Sequence, residues 1–148
     1  MVKFSGILLL IITFSLSLGA QKKINWLSWE DAIEKNRTEK RKFIVDVYTD
    51  WYGWCKKMDK STFQNQIIAE YVNEHYYAIK FNAEQKDDIE FNNKVYKYVS
   101  AFGRRGYHEL ANEIMNGRMT YPTVVFLDEN QKVLQPIPGF QDARTFEM

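Results

Sequence analysis

The chain is poor in cysteine. Its 148 residues include 1, Cys55, so no disulfide can form within it. Histidine is nearly as scarce: the 2 present, His75 and His108, lie far apart in sequence with no clustered carboxylate or cysteine beside them. Cys55 with one histidine falls short of the three or four ligands a zinc site uses, so neither a metal nor a cofactor is expected. No charge of one sign prevails. Lys and Arg number 20 against 19 Asp and Glu, which leaves no basic footprint for nucleic acid or an anionic membrane. Glycine is sparse too, with 7 residues. None builds a phosphate loop, since Gly103-Arg104-Arg105-Gly106 has the wrong spacing and no Lys-Ser/Thr follows it. There is no internal repeat and no low-complexity segment. With 45% apolar, 16% aromatic and 26% charged residues, the composition is that of a globular domain with a real core, and the length fits one domain.

No apolar run is long enough to span a bilayer. Gly6 to Leu18 comes nearest, at about 13 residues against the ~20 a span needs. Met1-Val2-Lys3 before it is a short basic start, and Leu18-Gly19-Ala20 after it is a small-residue exit, the pattern of a secretory signal peptide. The expected organisation is a signal peptide over residues 1–20, cleaved after Ala20, and one domain over 21–148. No cysteine in the leader means no lipidated N-terminus. Loss of Lys3 leaves the mature chain neutral, 19 charges against 19. Export, periplasmic or secreted, puts the domain in an oxidising compartment where even cysteine counts are the rule. Cys55 is then either a buried, inert thiol or one that pairs with another molecule.

Periodicity outlines the elements. Ser28 can cap a helix whose Trp29, Ala32 and Ile33 share one face. Phe43 to Tyr48 is a near-continuous apolar run, the mark of a strand buried on both sides. Asp46 interrupts it, and a buried carboxylate without a partner is costly or protonated. Cys55 to Phe63 reads as a helix, and Ile67, Ile68, Tyr71 and Val72 mark another. Tyr76 to Asn82 alternates as a strand. Ile89 to Val99 reads as a helix with Val95, Tyr98 and Val99 on one side, capped by Asp87-Asp88. His108 to Met115 is a short helix that Gly117 can end. Thr123 to Leu127 and Val133 to Ile137 form a hairpin around Asp128-Glu129-Asn130-Gln131. Asp142 can cap a last helix that begins near Gln141, with Phe146 its first inward residue. Asn36-Arg37-Thr38 matches the glycosylation pattern, a match short enough to arise by chance. Strands alternating with helices and closed by a hairpin give an α/β fold.

The loop after the first long strand carries the chemistry. Trp51-Tyr52-Gly53-Trp54-Cys55-Lys56 is a C-x-x-C exchange motif with a tyrosine at the first cysteine position. Together with Val45-Asp46-Val47-Tyr48 and Tyr121-Pro122-Thr123, in that order, it resembles the thioredoxin-like family. Cys55-Lys56-Lys57-Met58-Asp59 with Phe63, and the segment from Met119 to Gly139, resemble its exported bacterial branch. The resemblance covers Trp26 to Met148. It implies a thioredoxin-like fold, with a central mixed sheet, flanking helices and a C-terminal β-hairpin, the last helix being cut short. Such shortening would expose apolar surface and the Val133–Ile137 edge, unless another chain covers them or the sequence continues.

The resemblance also implies roles. The family's first cysteine sits at a helix N-terminus, where the dipole and free N–H groups favour a thiolate, and attacks a disulfide. The second resolves the mixed disulfide. Cys55 holds that resolving position, Asp46 the place of a buried proton acceptor, and Tyr121-Pro122 that of the cis-proline beside which an extended peptide pairs. Tyr52, expected to be exposed, cannot replace a thiolate. Three outcomes follow: a redox-inactive module binding a peptide or protein with Trp51, Tyr52, Gly53, Trp54, Tyr121 and Pro122; a monothiol exchanging through Cys55; or a scaffold with no site. The first is the expectation and the monothiol the runner-up.

Overall fold

The computed structural model describes residues 22–100 and 103–147. The proposed leader, residues 1–20, lies outside the described residues. In chain order the elements are β1 (Trp26–Leu27), α1 (Trp29–Thr38), β2 (Lys42–Tyr48), α2 (Gly53–Ser61), α3 (Gln66–His75), β3 (Tyr76–Asn82), β4 (Ile89–Phe91), β5 (Lys94–Tyr96), β6 (Tyr98–Val99), β7 (Tyr107–His108), α4 (Glu109–Ile114), β8 (Thr123–Leu127), β9 (Val133–Pro138) and α5 (Ala143–Glu147).

Five strands form one mixed sheet in the order β1-β3-β2-β8-β9. β2 runs parallel to β3 and antiparallel to β8. Its central place explains its composition: with both faces covered, a strand has no solvent side for polar residues. Alternation then divides its side chains. Phe43, Val45 and Val47 enter a core with Trp29 and Ala32 of α1 and Leu110, Ala111 and Ile114 of α4. Ile44 enters a second core with Met58 of α2, Phe63, and Ile68, Ala69 and Val72 of α3. Asp46 follows Ile44 onto the second face.

The helix starts are set by side chains. Ser28 Oγ accepts from the Asp31 amide at 3.1 Å. Asn65 Oδ1 accepts from the amides of Ile67 and Ile68. His108 Nδ1 accepts from the Leu110 amide at 3.3 Å. Asn36 is buried: its Nδ2 donates to the Glu129 carbonyl and its Oδ1 accepts from the Arg41 amide. This asparagine joins α1 to the β8–β9 turn, a use that leaves no room for a glycan.

The segment over 89–99 departs from the expected helix. It forms the β4–β5 hairpin and then β6, which pairs with β7. Asn92 and Asn93 connect β4 to β5 with φ of 51° and 60°. Asparagine tolerates this left-handed region, and two such residues make a tight hairpin turn. Ile89, Phe91 and Tyr96 are buried, whereas Val95, part of the expected helical stripe, is 50% exposed. Asp87-Asp88 accordingly precede a strand and cap no helix.

α5 spans five residues. Asp142 Oδ1 accepts from the Thr145 amide at 2.8 Å, and Phe146 packs edge-on against Phe63, 5.8 Å between ring centres. Beside it an apolar groove of about 530 Å³ is lined by Ile44, Ile67, Tyr71, Phe126, Ile137 and Phe146. β9 is an edge strand carrying Pro136 and Pro138, residues that cannot donate to a further strand. Among the described residues no helix is long and apolar enough to cross a membrane.

Candidate functional site at the β2–α2 junction

β2 ends at Tyr48, in the middle of the sheet's width, and α2 begins five residues later at Gly53. Tyr52 is the residue before the helix, in extended conformation at φ −88° and ψ 119°, and its side chain makes no capping bond. The backbone caps instead: the Tyr52 carbonyl accepts from the amides of Cys55 at 3.2 Å and Lys56 at 3.4 Å. Tyr52 is half-buried, less open than expected, because Trp51 lies against it with 5.4 Å between ring centres. Gly53 is exposed at the first helical position, and a Cβ there would meet nothing within 4 Å.

Cys55 points inward and is 3% exposed. Burial pushes its thiol above the ordinary range. A hydrogen bond with the Thr49 backbone and the charge of Lys80 work the other way, and the charges of Asp46 and Asp59 add to the rise. A sulfur in this setting is a protonated thiol at neutral pH.

Asp46 is 2% exposed. Lys80, its register partner on β3, donates to Asp46 Oδ2 at 2.5 Å and also to Asp59 Oδ1 on α2. The rings of Trp26, Tyr48 and Phe63 surround the same ammonium at 5.1, 4.8 and 5.4 Å. One cation thus holds two carboxylates from two elements. Asp46 Oδ1 has no partner, nor has the buried hydroxyl of Thr49. Burial outweighs Lys80, so the Asp46 carboxyl rises to about 6.

The Tyr121–Pro122 peptide bond is cis. Pro122 is buried and Tyr121 half-buried. Desolvation first, and then the charge of Glu84, pushes the Tyr121 phenol to about 12, so it stays a hydrogen-bond donor at any ordinary pH. β8 pairs from Thr123 onward, which leaves the main chain of Tyr121 outside both ladders.

Trp51 and Trp54 are 47% and 46% exposed, and each holds a cation that sequence pattern alone does not assign to it. Trp51 Nε1 donates to Glu84 Oε1 at 3.0 Å, and the Arg105 guanidinium lies 4.7 Å above the indole. Arg105 also approaches Glu84 at 3.8 Å. The loop bearing Arg105 is fixed where the His108 amide donates to the Ala83 carbonyl at 2.7 Å. On the other side, Trp54 meets Phe140 at 5.4 Å, and Lys57 sits 4.6 Å over Trp54 and 5.0 Å over Phe140. Gly139, at φ +89°, turns the chain there while its amide donates to the Pro122 carbonyl at 2.8 Å. The residues expected at the site thus gather at one sheet end, and Lys80, Asp59, Glu84, Arg105, Lys57 and Phe140 join them.

Comparison with known proteins agrees with this architecture. The Thioredox_DsbH family, described as "Protein of unknown function, DUF255", matches residues 13–145. Spermatogenesis-associated protein 20 of Homo sapiens is 28% identical over 78 residues, 52% of this chain and 10% of that protein. The thiol:disulfide interchange protein DsbD of Actinobacillus pleuropneumoniae serotype 5b (strain L20) is 24% identical over 108 residues, 72% of this chain and 15% of that protein. The chain therefore spans a small part of the curated relatives it matches. A solved structure of a DsbH oxidoreductase superimposes with a TM-score of 0.60 at 16% identity, covering 86% of this chain and 82% of the other. The fold is thioredoxin-like.

Proposed function

Because this chain belongs to the Thioredox_DsbH family of thioredoxin-like proteins, we propose that it is an exported binding module in which the dithiol exchange cycle has been lost. The observation that carries the reading is the state of its 1 cysteine: Cys55 is 3% exposed and its thiol is held protonated. Exchange needs an accessible thiolate to attack and a second thiol to resolve. Tyr52 stands where the attacking sulfur would, and a phenol cannot take that part. The surface around the sulfur suits a peptide. Tyr121 offers main-chain groups outside the ladders, as strand addition requires, and Trp51 and Trp54, at the start of α2, present half-exposed aromatic area.

Thiol labelling tests this reading. In the native protein at neutral pH, Cys55 is expected to react roughly 100-fold more slowly than in denaturant, since reaction must wait for local opening, and insulin reduction is expected to be absent. Native labelling at the unfolded rate would sink the binding-module reading in favour of a working monothiol. Tyr52→Cys should restore measurable insulin reduction, because the helix start and the Tyr121–Pro122 segment are already in place.

A further inference from the structure

We infer that the partner recognised at this site is an acidic peptide segment, gripped at both ends of the aromatic rim by cations stacked on it; this rests on the peptide-binding reading above. The whole chain is close to neutral, with 20 basic and 19 acidic residues, yet the site is not. The exposed side of α2 carries Lys56, Lys57 and Lys60, and none of the three makes an ion pair among the described residues. Arg105 closes the other end of the rim. The acids nearby are largely occupied. Asp59 is held by Lys80, and Glu84 accepts from Trp51 and approaches Arg105. Asp50 is exposed and accepts from Asn82 Nδ2 at 2.8 Å. The exposed cations Lys56, Lys57, Lys60 and Arg105 thus face the exposed Asp50 and the already engaged Asp59 and Glu84, and the N-terminus of α2 adds its positive dipole end.

Position matters as much as sign. Lys57 sits between Trp54 and Phe140, and the Arg105 guanidinium lies 4.7 Å over Trp51. A lysine or arginine free in solvent must surrender rotamer freedom to bind, whereas a stacked one has already done so. Arg105 meets Glu84 at 3.8 Å, a distance that leaves most of its five N–H donors open to a second carboxylate. Between the two cations lie the indoles and Tyr52, and the Tyr121–Pro122 segment is tied to this end by the Gly139 amide, which donates to the Pro122 carbonyl next to Phe140. An extended strand laid there would place its backbone by Tyr121, an aromatic side chain against the indoles, and flanking carboxylates at Lys57 and Arg105.

The test uses the full chain and three peptides of equal length with a central tyrosine, flanked by glutamate, glutamine or lysine. Binding is read by tryptophan fluorescence and calorimetry. The glutamate peptide is expected to bind roughly tenfold tighter than the glutamine peptide at low salt, with the gap narrowing as salt rises. Lys57→Glu and Arg105→Glu, both at exposed positions, should each weaken the glutamate peptide by roughly fivefold and favour the lysine peptide, with unchanged circular dichroism. Equal binding of the glutamate and glutamine peptides would overturn the acidic preference and leave peptide binding standing. A preference for lysine, or variants that keep the wild-type order, would overturn it likewise. Failure of all three peptides to bind would overturn both readings.

Discussion

Asp46 shows how much one side chain sets the character of the site. Its carboxyl is pushed up to about 6, against 3.8 for a free aspartate, because burial outweighs the attraction of Lys80. The sign of the effect follows. Well below 3.8 both folded and unfolded chains hold the proton, and no penalty exists. As pH rises toward 6 the unfolded chain releases it first, so folding must carry a proton that the unfolded state has lost, and stability falls. The loss levels off above 6 at up to about 3 kcal/mol. Asp46→Asn keeps the shape and removes the titration, and Lys80 retains Asp59. Denaturant melts at pH 4 and pH 7 should show wild type losing stability relative to Asp46→Asn over that interval; parallel pH dependence in the two proteins would remove Asp46 as the source. The buried carboxylate was legible in the sequence, since a strand apolar on both sides of a charge has no solvent face to turn that charge toward. Its partner left a mark there as well. That mark is faint, because Lys80 sits on the face of the alternating Tyr76–Asn82 strand opposite Tyr77, Ile79 and Phe81, and only the register of β3 against β2 sets it beside Asp46. The Trp51–Arg105 and Trp54–Lys57 stacks were less accessible: Arg105 is far from Trp51 in sequence, and an exposed cation pattern does not say which ring it covers.

At the level of elements, apolar spacing succeeds where burial is one-sided or complete and fails where a turn decides. β2, β3, β8 and α1 to α4 follow from it. The 89–99 segment does not, because Val95, Tyr98 and Val99 satisfy helical spacing while Ile89, Phe91 and Tyr96 satisfy the alternation of the real hairpin. The turn at Asn92-Asn93 breaks the tie, and it lacks the glycine that usually announces such turns. The β6–β7 pair that follows depends on close approach. A Cβ on Gly106 would lie 2.3 Å from both the Tyr98 hydroxyl and the Val99 carbonyl. One of those atoms is backbone, so the ladder itself must move. Gly106→Ala is expected to lower stability by about 2 kcal/mol or more and to loosen the loop that carries Arg105. Gly53→Ala, with open space around it, should change stability by no more than about 0.5 kcal/mol. Thermal melts of the two variants side by side test the contrast, and equal losses would refute it.

Taken as a whole, the molecule is uneven across its sheet. The α1 and α4 face holds a closed core with Phe81 at its centre, 5.5 Å from both Trp29 and His108. The α2, α3 and α5 face ends at Phe146, half-buried beside an apolar groove. Phe81→Ala should therefore cost about 3–5 kcal/mol, and Phe146→Ala only about 1 kcal/mol. Similar losses on denaturant unfolding would mean that the short α5 closes its face as firmly as α4 closes the other. The lone sulfur sets a further property of the whole. With 1 cysteine, buried at the start of α2, the chain has no cross-link of its own, and the described fold stands on packing and hydrogen bonds alone. A reductant therefore has no bond to open within it.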